Sequence, residues 1–174
     1  MSRSLENKVA IVTGGASGIG EALGEELAAR GAEVVLADRQ VDRARAVATR
    51  ISDRGARATA VDLDVRDLDA FEQIVHDVRK RAGHVDYLFN NAGIGVAGEI
   101  ELYEPADWDD VFDVNLRGVA NGIHAVYPTM IEQRSGHIVN TASMAGLVAT
   151  AGEASYAATK HAVVGLTKIG RAHV

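Results

Sequence analysis

The sequence predicts an α/β protein in which a doubly wound parallel sheet lies between two layers of helices, a three-layer α/β/α fold. Five short apolar runs with little polar alternation are separated by longer amphipathic stretches. Strands that are buried on both faces have this composition. Strands and helices that alternate along the chain imply right-handed crossovers, which keep the strands parallel. With 174 residues, the chain has the length of one domain, so we assign residues 1–174 to a single domain.

The five predicted strands are short runs of β-branched and aliphatic residues. They lie at residues 9–12, 34–37, 58–61, 87–89 and 138–139. A complete doubly wound sheet of this type has about six strands in the order 3-2-1-4-5-6. We therefore expect the fold to be incomplete at the C-terminus, and the fifth strand to leave an unpaired apolar edge.

Apolar residues at helical spacing mark three of the intervening helices. These residues are Ile19, Leu23 and Leu27 in the first helix, Phe71, Ile74, Val75 and Val78 in the second, and Val111, Val114, Val119 and Ile123 in the third. The two prolines avoid the strands. Pro105 suits the first turn of a helix, whereas Pro128 falls late in the third pattern and is expected to kink or end that helix.

Composition excludes several classes of function. The net charge of −6 gives the chain no general attraction for nucleic acid or for an anionic membrane. The absence of cysteine removes disulfides, thiolate metal centres and cysteine nucleophiles, and the six histidines show no paired ligand spacing, so no metal site is expected. We find no signal-peptide core and no membrane span in the sequence, and expect the protein in the cytoplasm.

A glycine-rich turn follows the first predicted strand and opens the first predicted helix, at residues 13–20. Gly14 permits a tight turn, Gly18 lets the backbone approach a pyrophosphate, and Gly20 lets helix and strand pack closely. Free backbone N–H groups and the positive end of the helix would hold the phosphates. The turn, which also contains Ser17 and Ile19, predicts a dinucleotide site. The alternative is an ordinary tight connection between strand and helix.

An acidic residue ends the second predicted strand. Asp38 lies eighteen residues after Gly20, where a carboxylate can accept hydrogen bonds from the adenosine ribose hydroxyls and would repel a 2′-phosphate. We therefore expect NAD in preference to NADP, although Arg39 follows directly and could attract that phosphate. In the alternative interpretation Asp38 is a helix cap or a turn residue.

Three residues near the end of the chain have the chemistry of a proton-transfer site. Tyr156 and Lys160 are four residues apart, so they share one face if this segment is a helix. A phenol is a poor base at neutral pH, and a neighbouring ammonium stabilises its anion. Ser143, after the fifth strand, could orient a substrate oxygen while Tyr156 exchanges a proton and hydride moves to or from the cofactor. The alternative is a packing tyrosine beside a solvated lysine.

In combination, these motifs resemble the short-chain dehydrogenase/reductase family in its short form, with a Thr-Gly-x-x-x-Gly-x-Gly turn and a Tyr-x-x-x-Lys pair. The matching pieces run in one order from Thr13 to Lys160, and they include residues 62–65, residues 90–93 and Asn115. The resemblance implies a Rossmann-like fold and an NAD(P)-dependent alcohol dehydrogenase or carbonyl reductase acting on a small alcohol or ketone.

The same resemblance implies roles for individual residues. Asp64 would contact the adenine and Val65 would line its pocket, while Asn91 and Ala92 would lie nearest the cofactor. Asn115 would open the backbone of its helix and hold a water that relays protons to Lys160, which would also bind the nicotinamide ribose. The implied catalytic set is Asn115, Ser143, Tyr156 and Lys160.

The chain departs from the family pattern at its end. The sixth and seventh strands and the helices that cover the substrate are not in the sequence, and we expect a homo-oligomer only for the full-length protein. Residues 169–174 read as the in-frame translation of a common sequencing adapter, so we expect them not to be native. One alternative function is therefore a catalytically silent nucleotide-binding fragment or regulatory module. A longer epimerase-type relative fits the glycine spacing less well.

Overall fold

All five predicted strands are present in a computed structural model, which describes residues 5–148 and 151–169. The segment expected not to be native spans residues 169–174, of which residues 170–174 lie outside the described residues. Each strand is extended by one or two residues relative to the prediction. The strands are β1 (Val9–Thr13), β2 (Glu33–Asp38), β3 (Arg57–Asp62), β4 (Tyr87–Asn90) and β5 (His137–Asn140).

The strands form one parallel sheet in the order β3-β2-β1-β4-β5, as predicted. The chain builds outward from β1 to β3 and then returns to pair β4 with the other side of β1. The point between β1 and β4 is therefore the switch point of the sheet, outside which ligands bind in folds of this class. Within the described residues β5 is an edge strand, and its Val139 is 43% exposed.

In the part of the chain that the structure describes, six helices connect and flank the strands. They are α1 (Gly18–Ala29), α2 (Val41–Asp53), α3 (Leu68–Ala82), α4 (Pro105–Phe112), α5 (Gly118–Gln133) and α6 (Ala154–Ile169). Local chemistry fixes several of the ends. Asp67 caps α3 by accepting a hydrogen bond from the amide of Ala70, and Gly83 ends that helix in the left-handed conformation.

The third helical pattern is not one regular helix. A π-helical turn at Asp113–Arg117 separates α4 from α5. The expectation that Pro128 could end the helix was wrong, because α5 continues to Gln133. Pro128 and His124, the residue whose carbonyl loses its helical partner, are both exposed. Water can therefore satisfy that carbonyl, while the buried side of α5 keeps its packing.

The core consists of two apolar layers, one on each face of the sheet. Alternate residues of the central strands point to opposite faces, so Ile11 and Val35 lie in one layer while Val12 and Leu36 lie in the other. The first layer packs against α3 and α5, and the second against α1 and α2. This arrangement confirms the predicted three-layer α/β/α fold and leaves the carboxyl ends of the strands open along one edge.

Candidate active site

A cleft of about 490 Å³ runs along the carboxyl ends of the strands. It crosses the switch point between β1 and β4, so its position follows from the sheet order. Ten of the predicted site residues line it: Gly14, Ser17, Ile19, Asp38, Asp64, Val65, Asn91, Ala92, Tyr156 and Lys160. The other four, Gly18, Gly20, Asn115 and Ser143, do not line this cleft.

The glycine-rich turn has the geometry of an anion site. Gly14 and Gly18 have positive φ angles of 67° and 57°, which a residue with a Cβ rarely adopts. Ser17 is the N-cap of α1, but its side chain makes no capping hydrogen bond. The first backbone N–H groups of α1 therefore have no partner inside the helix and are free for a ligand. Nothing lies within 4 Å of the position that a Cβ on Gly18 would occupy.

We expect Gly20→Ala to disrupt this turn. A Cβ on Gly20 would lie 2.1 Å from the carbonyl oxygen of Gly14 and 2.7 Å from Nδ2 of Asn91, so the backbone must move. We expect a loss of about 2 kcal/mol in the free energy of unfolding, measured by urea denaturation, and weaker NAD binding in calorimetry. The control is Gly165→Ala in α6, where the new Cβ meets nothing within 4 Å; it should stabilise the chain by up to about 1 kcal/mol. Equal stabilities of the two variants would contradict this account.

Asp38 makes hydrogen bonds to two backbone amides near the carboxyl end of β2. Its Oδ2 accepts a hydrogen bond of 3.0 Å from the amide of Ala16, and its Oδ1 accepts one of 2.8 Å from the amide of Gln40. The carboxylate therefore holds the glycine-rich turn against the end of β2 and is also a turn residue. It lines the cleft as well, together with Arg39. Because each carboxylate oxygen has two lone pairs, both retain the capacity to accept a further bond.

A polar network that sequence reasoning missed joins the ends of three strands. The hydroxyl oxygen of Thr13 accepts hydrogen bonds of 3.0 Å from the amides of Asn91 and Ala92. The side-chain amide of Asn91 donates to the carbonyl of Thr13 at 3.1 Å, and its Oδ1 accepts from the hydroxyl of Thr141 at 3.3 Å. Thr13 begins the Thr-Gly-x-x-x-Gly-x-Gly motif, but no role of its own followed from the sequence. Its position between a strand and a glycine was the one sequence feature that pointed to a role, because its hydrogen-bond partners are distant in sequence.

Asp64 and Val65 lie together at one end of the cleft, beside Leu63 and Val114. Leu63 and Val65 are buried, so this end has apolar walls. The guanidinium of Arg66 hydrogen-bonds the Asp64 carboxylate and holds its pKa below the usual range. The carboxylate is therefore ionised at neutral pH and can only accept hydrogen bonds.

Asn115 is fully buried in the π-helical turn. Its Oδ1 accepts a hydrogen bond from the amide of Ile94, and its Nδ2 donates one to the carbonyl of the same residue, both at 2.8 Å. This pair of bonds fastens the segment after β4 to the opened helix. Nδ2 also lies 3.3 Å from the hydroxyl oxygen of Thr159 in α6. Asn115 thus joins the π-helical turn, the segment after β4 and α6, without itself lining the cleft.

Tyr156 and Lys160 lie on one face of α6, and both line the cleft. The Lys160 ammonium is 5.5 Å from the centroid of the Tyr156 ring and donates a hydrogen bond of 2.7 Å to the carbonyl of Thr141. Lys160 is only 4% exposed, and this burial lowers its pKa from the ordinary value. The lysine is therefore not the solvated side chain of the alternative interpretation.

Ser143 follows β5 and caps a short 3-10 turn at Met144–Gly146. Its Oγ accepts a hydrogen bond of 3.1 Å from the amide of Ala145. The hydroxyl acts as acceptor in this bond, so its hydrogen is left to be donated elsewhere. Ser143 thus lies next to the strand end that precedes α6, but outside the lining of the cleft.

No group of three or more potential metal ligands occurs among the described residues. Among the same residues, no helix has the length and apolar character needed to cross a membrane. Asp109 and Asp110 are exposed in the second half of α4.

A parallel sheet with a glycine-rich turn at its switch point, and a tyrosine–lysine pair in the same cleft, defines the class of dinucleotide-binding α/β domains that carry oxidoreductase sites. The family model described as short chain dehydrogenase matches residues 8–173. The chain belongs to the short-chain dehydrogenase/reductase family, as its motifs predicted.

Individual relatives agree with this assignment. An uncharacterized oxidoreductase of Listeria innocua is 40% identical over 168 residues, which is 97% of this chain and 68% of the relative. The 3-oxoacyl-(acyl-carrier-protein) reductase FabG of Staphylococcus epidermidis is 40% identical over 163 residues, 93% of this chain and 67% of the relative. The chain thus spans about two thirds of the length of these curated relatives.

Solved structures of the family superpose closely on this chain. A short-chain dehydrogenase/reductase from Burkholderia phymatum in complex with NAD gives a TM-score of 0.92 at 38% identity, covering 95% of this chain and 59% of that one. A metagenomic short-chain oxidoreductase in complex with NADP gives a TM-score of 0.91 at 38% identity, covering 96% of this chain and 76% of that one. The neighbours thus hold a nicotinamide dinucleotide of either kind.

Proposed function

We propose that this protein is an oxidoreductase that transfers a hydride between NAD(H) and an alcohol or carbonyl substrate, with Tyr156 as the general acid and base. One observation carries the proposal. A single continuous cleft joins Asp38 and the glycine-rich turn at one end to Tyr156 and Lys160 at the other. A dinucleotide is long enough to need such a cleft, and the proton-transfer residues stand where its reactive end would lie.

The residues present fit a nicotinamide dinucleotide. The free N–H groups at the start of α1 suit the pyrophosphate, and Asp38 can accept hydrogen bonds from ribose hydroxyls. Asp64 and Val65 suit the adenine, and the turn containing Asn91 and Ala92 also lines the cleft. Lys160 uses one of its three N–H donors on Thr141, which leaves two for the other ribose. The bound nicotinamide would supply the hydride chemistry.

The chain's own residues would handle the proton. For carbonyl reduction, the Tyr156 hydroxyl donates a proton to the substrate oxygen as that oxygen gains negative charge; in the oxidation of an alcohol it takes the proton back. The ammonium of Lys160, in the same cleft, favours the phenolate electrostatically. Ser143 would orient the substrate oxygen with the hydrogen that its bond to Ala145 leaves free. Asn115 would keep the helix open behind Lys160.

The charge of Asp38 should decide between NAD and NADP, since the solved neighbours include complexes of both kinds. We expect Asp38→Asn to reduce the preference for NAD over NADP, expressed as the ratio of the two dissociation constants, by at least about tenfold. The reason is that the repulsion of the 2′-phosphate by the carboxylate disappears. Calorimetric dissociation constants for the two dinucleotides measure the ratio. Asp42→Asn, on the exposed side of α2, is the charge-matched control. An unchanged ratio in Asp38→Asn would assign selection to another residue, with Arg39 as the first candidate.

We also propose a small alcohol or ketone as the substrate and a homo-oligomeric state for the complete protein. An apolar groove supports the second proposal. It lies between α5 and α6 and is lined by Ile123, Tyr127 and Leu166, among others. Exposed apolar surface between two helices is typical of a subunit interface.

The direct test is to titrate the protein with NAD in a calorimeter and to screen the same sample for turnover with NADH and simple ketones. Binding together with turnover supports the proposed function. Binding without turnover supports the alternative of a silent nucleotide-binding module. The absence of both contradicts the assignment of the cleft.

A further inference from the structure

Arg66 and Asp64 form an unusually complete pair at the adenine end of the cleft. The Nε atom of Arg66 lies 2.9 Å from Oδ1 and 3.0 Å from Oδ2 of Asp64, and Nη2 lies 2.6 Å from Oδ2. The backbone amide of Arg66 also donates to Oδ1 at 3.0 Å. The two residues are separated only by Val65, so the pair closes a tight local loop.

These contacts leave the carboxylate with little freedom to rotate. A carboxylate has about four lone-pair directions. Three hydrogens of Arg66 meet these directions: the backbone N–H on Oδ1, one Nη2–H on Oδ2, and the Nε–H, which is shared almost equally between the two oxygens. Three hydrogens cannot fill four acceptor directions, so the carboxylate keeps the capacity to accept one further bond from a ligand.

The guanidinium is itself held from the other side. Its Nη1 lies 3.4 Å from Oδ1 of Asp110, in α4. Arg66 is thus fixed between the loop after β3 and a helix at the rim of the cleft. The raised pKa of Arg66 and the lowered pKa of Asp64 both follow from their mutual hydrogen bonds and charges. Both groups therefore stay ionised across the neutral range.

The surroundings of the carboxylate indicate what it would accept. Leu63, Val65 and Val114 form apolar walls beside it, which suit the faces of a flat ring. An acceptor-only group at the edge of such a slot fits a ring that carries an N–H donor there. Adenine has this donor in its exocyclic amine, whereas hypoxanthine has a carbonyl oxygen in the same place.

We propose that Arg66 is a positioning residue for cofactor recognition: it fixes Asp64 so that one carboxylate lone pair accepts the exocyclic amine of the adenine. This inference rests on the proposed cofactor site. Arg66 does not act by contact with the purine in this account; it acts through Asp64. Its removal should therefore affect the discrimination between purines more than it affects binding in general.

The test compares NAD with nicotinamide hypoxanthine dinucleotide by calorimetry on the whole chain. The wild type should bind NAD about tenfold more tightly, as expected for one hydrogen bond to a charged acceptor. Arg66→Met should reduce this ratio to about twofold, because the carboxylate becomes free to rotate. Arg66→Lys should restore part of the ratio. Asp64→Asn should remove it or reverse it, because a side-chain amide can donate to the hypoxanthine oxygen.

Arg79→Met is the matched control. It removes the same charge from an exposed arginine of α3 that pairs with Glu132, and it should leave the ratio unchanged. Equal weakening of both dinucleotides by Arg66→Met would show a merely structural role and overturn the proposal, as would a wild type that binds both equally. Failure of the wild type to bind either dinucleotide would overturn the proposed function as well, so the two failures are distinguishable.

Discussion

Tyr156→Phe is expected to lower turnover by about 10²- to 10⁴-fold, the range typical of a lost general acid or base. The substitution removes one oxygen atom and keeps the ring, which lies 5.5 Å from the Lys160 ammonium. No side-chain hydrogen bond of the Tyr156 hydroxyl is present among the described residues, so stability should change by less than about 0.5 kcal/mol. The measurement is the initial rate of NADH oxidation with a saturating ketone.

Tyr87→Phe is the matched control for this variant. Tyr87 lies at the amino end of β4, stacked on His137, at the opposite end of the strand from the cleft. It undergoes the same chemical change and should keep full turnover. Calorimetry should give both variants the same affinity for NAD within about twofold, because a group that acts on the transition state contributes little to ground-state binding. Unchanged turnover in Tyr156→Phe would exclude the assigned proton donor.

The sheet could be predicted from the sequence because its strands are buried on both faces. Continuous apolar runs such as residues 9–12 have few other interpretations between amphipathic segments. The strand order then followed from the order common to complete doubly wound sheets of this type. The break in the third helical pattern could not be predicted from periodicity. The π-helical turn at Asp113–Arg117 retains apolar residues at helical spacing on both sides, so the pattern continues through it.

The site could be predicted less completely, for a physical reason. Gly14, Asp38 and Tyr156 stand next to strand ends or in local motifs, so sequence spacing places them. The partners of Thr13 and Asn115 come instead from segments more than twenty residues away. Arg66 gave a weaker signal still, because an arginine two residues after a loop carboxylate is ordinary in any acidic protein. Only the geometry of its bonds to Asp64 sets it apart.

Lys160→Met is expected to abolish most of the activity without a loss of stability at neutral pH. The ammonium is buried at the wall of the cleft, where a positive charge is costly to desolvate. Methionine has a similar length and no charge. It loses the hydrogen bond to the Thr141 carbonyl, a cost of about 1 kcal/mol, but the removal of the buried charge offsets this cost. We expect turnover to fall at least about 10²-fold, as for the loss of one preorganised charge. Lys168→Met, at an exposed position of the same helix, should keep normal turnover.

The stability of this variant relative to the wild type should depend on pH in a defined direction. Burial lowers the pKa of Lys160 in the folded chain below its ordinary value of 10.5. Between the lowered pKa and 10.5, the unfolded chain binds more protons than the folded chain, so this residue makes the wild type more stable as pH rises. The stability of Lys160→Met relative to the wild type should therefore be highest below the lowered pKa of Lys160. This relative stability should fall as pH approaches 10.5. Urea denaturation of both proteins at pH 7 and near pH 10 measures this. If the variant instead gains stability relative to the wild type as pH rises, the ammonium must be stabilised by its surroundings.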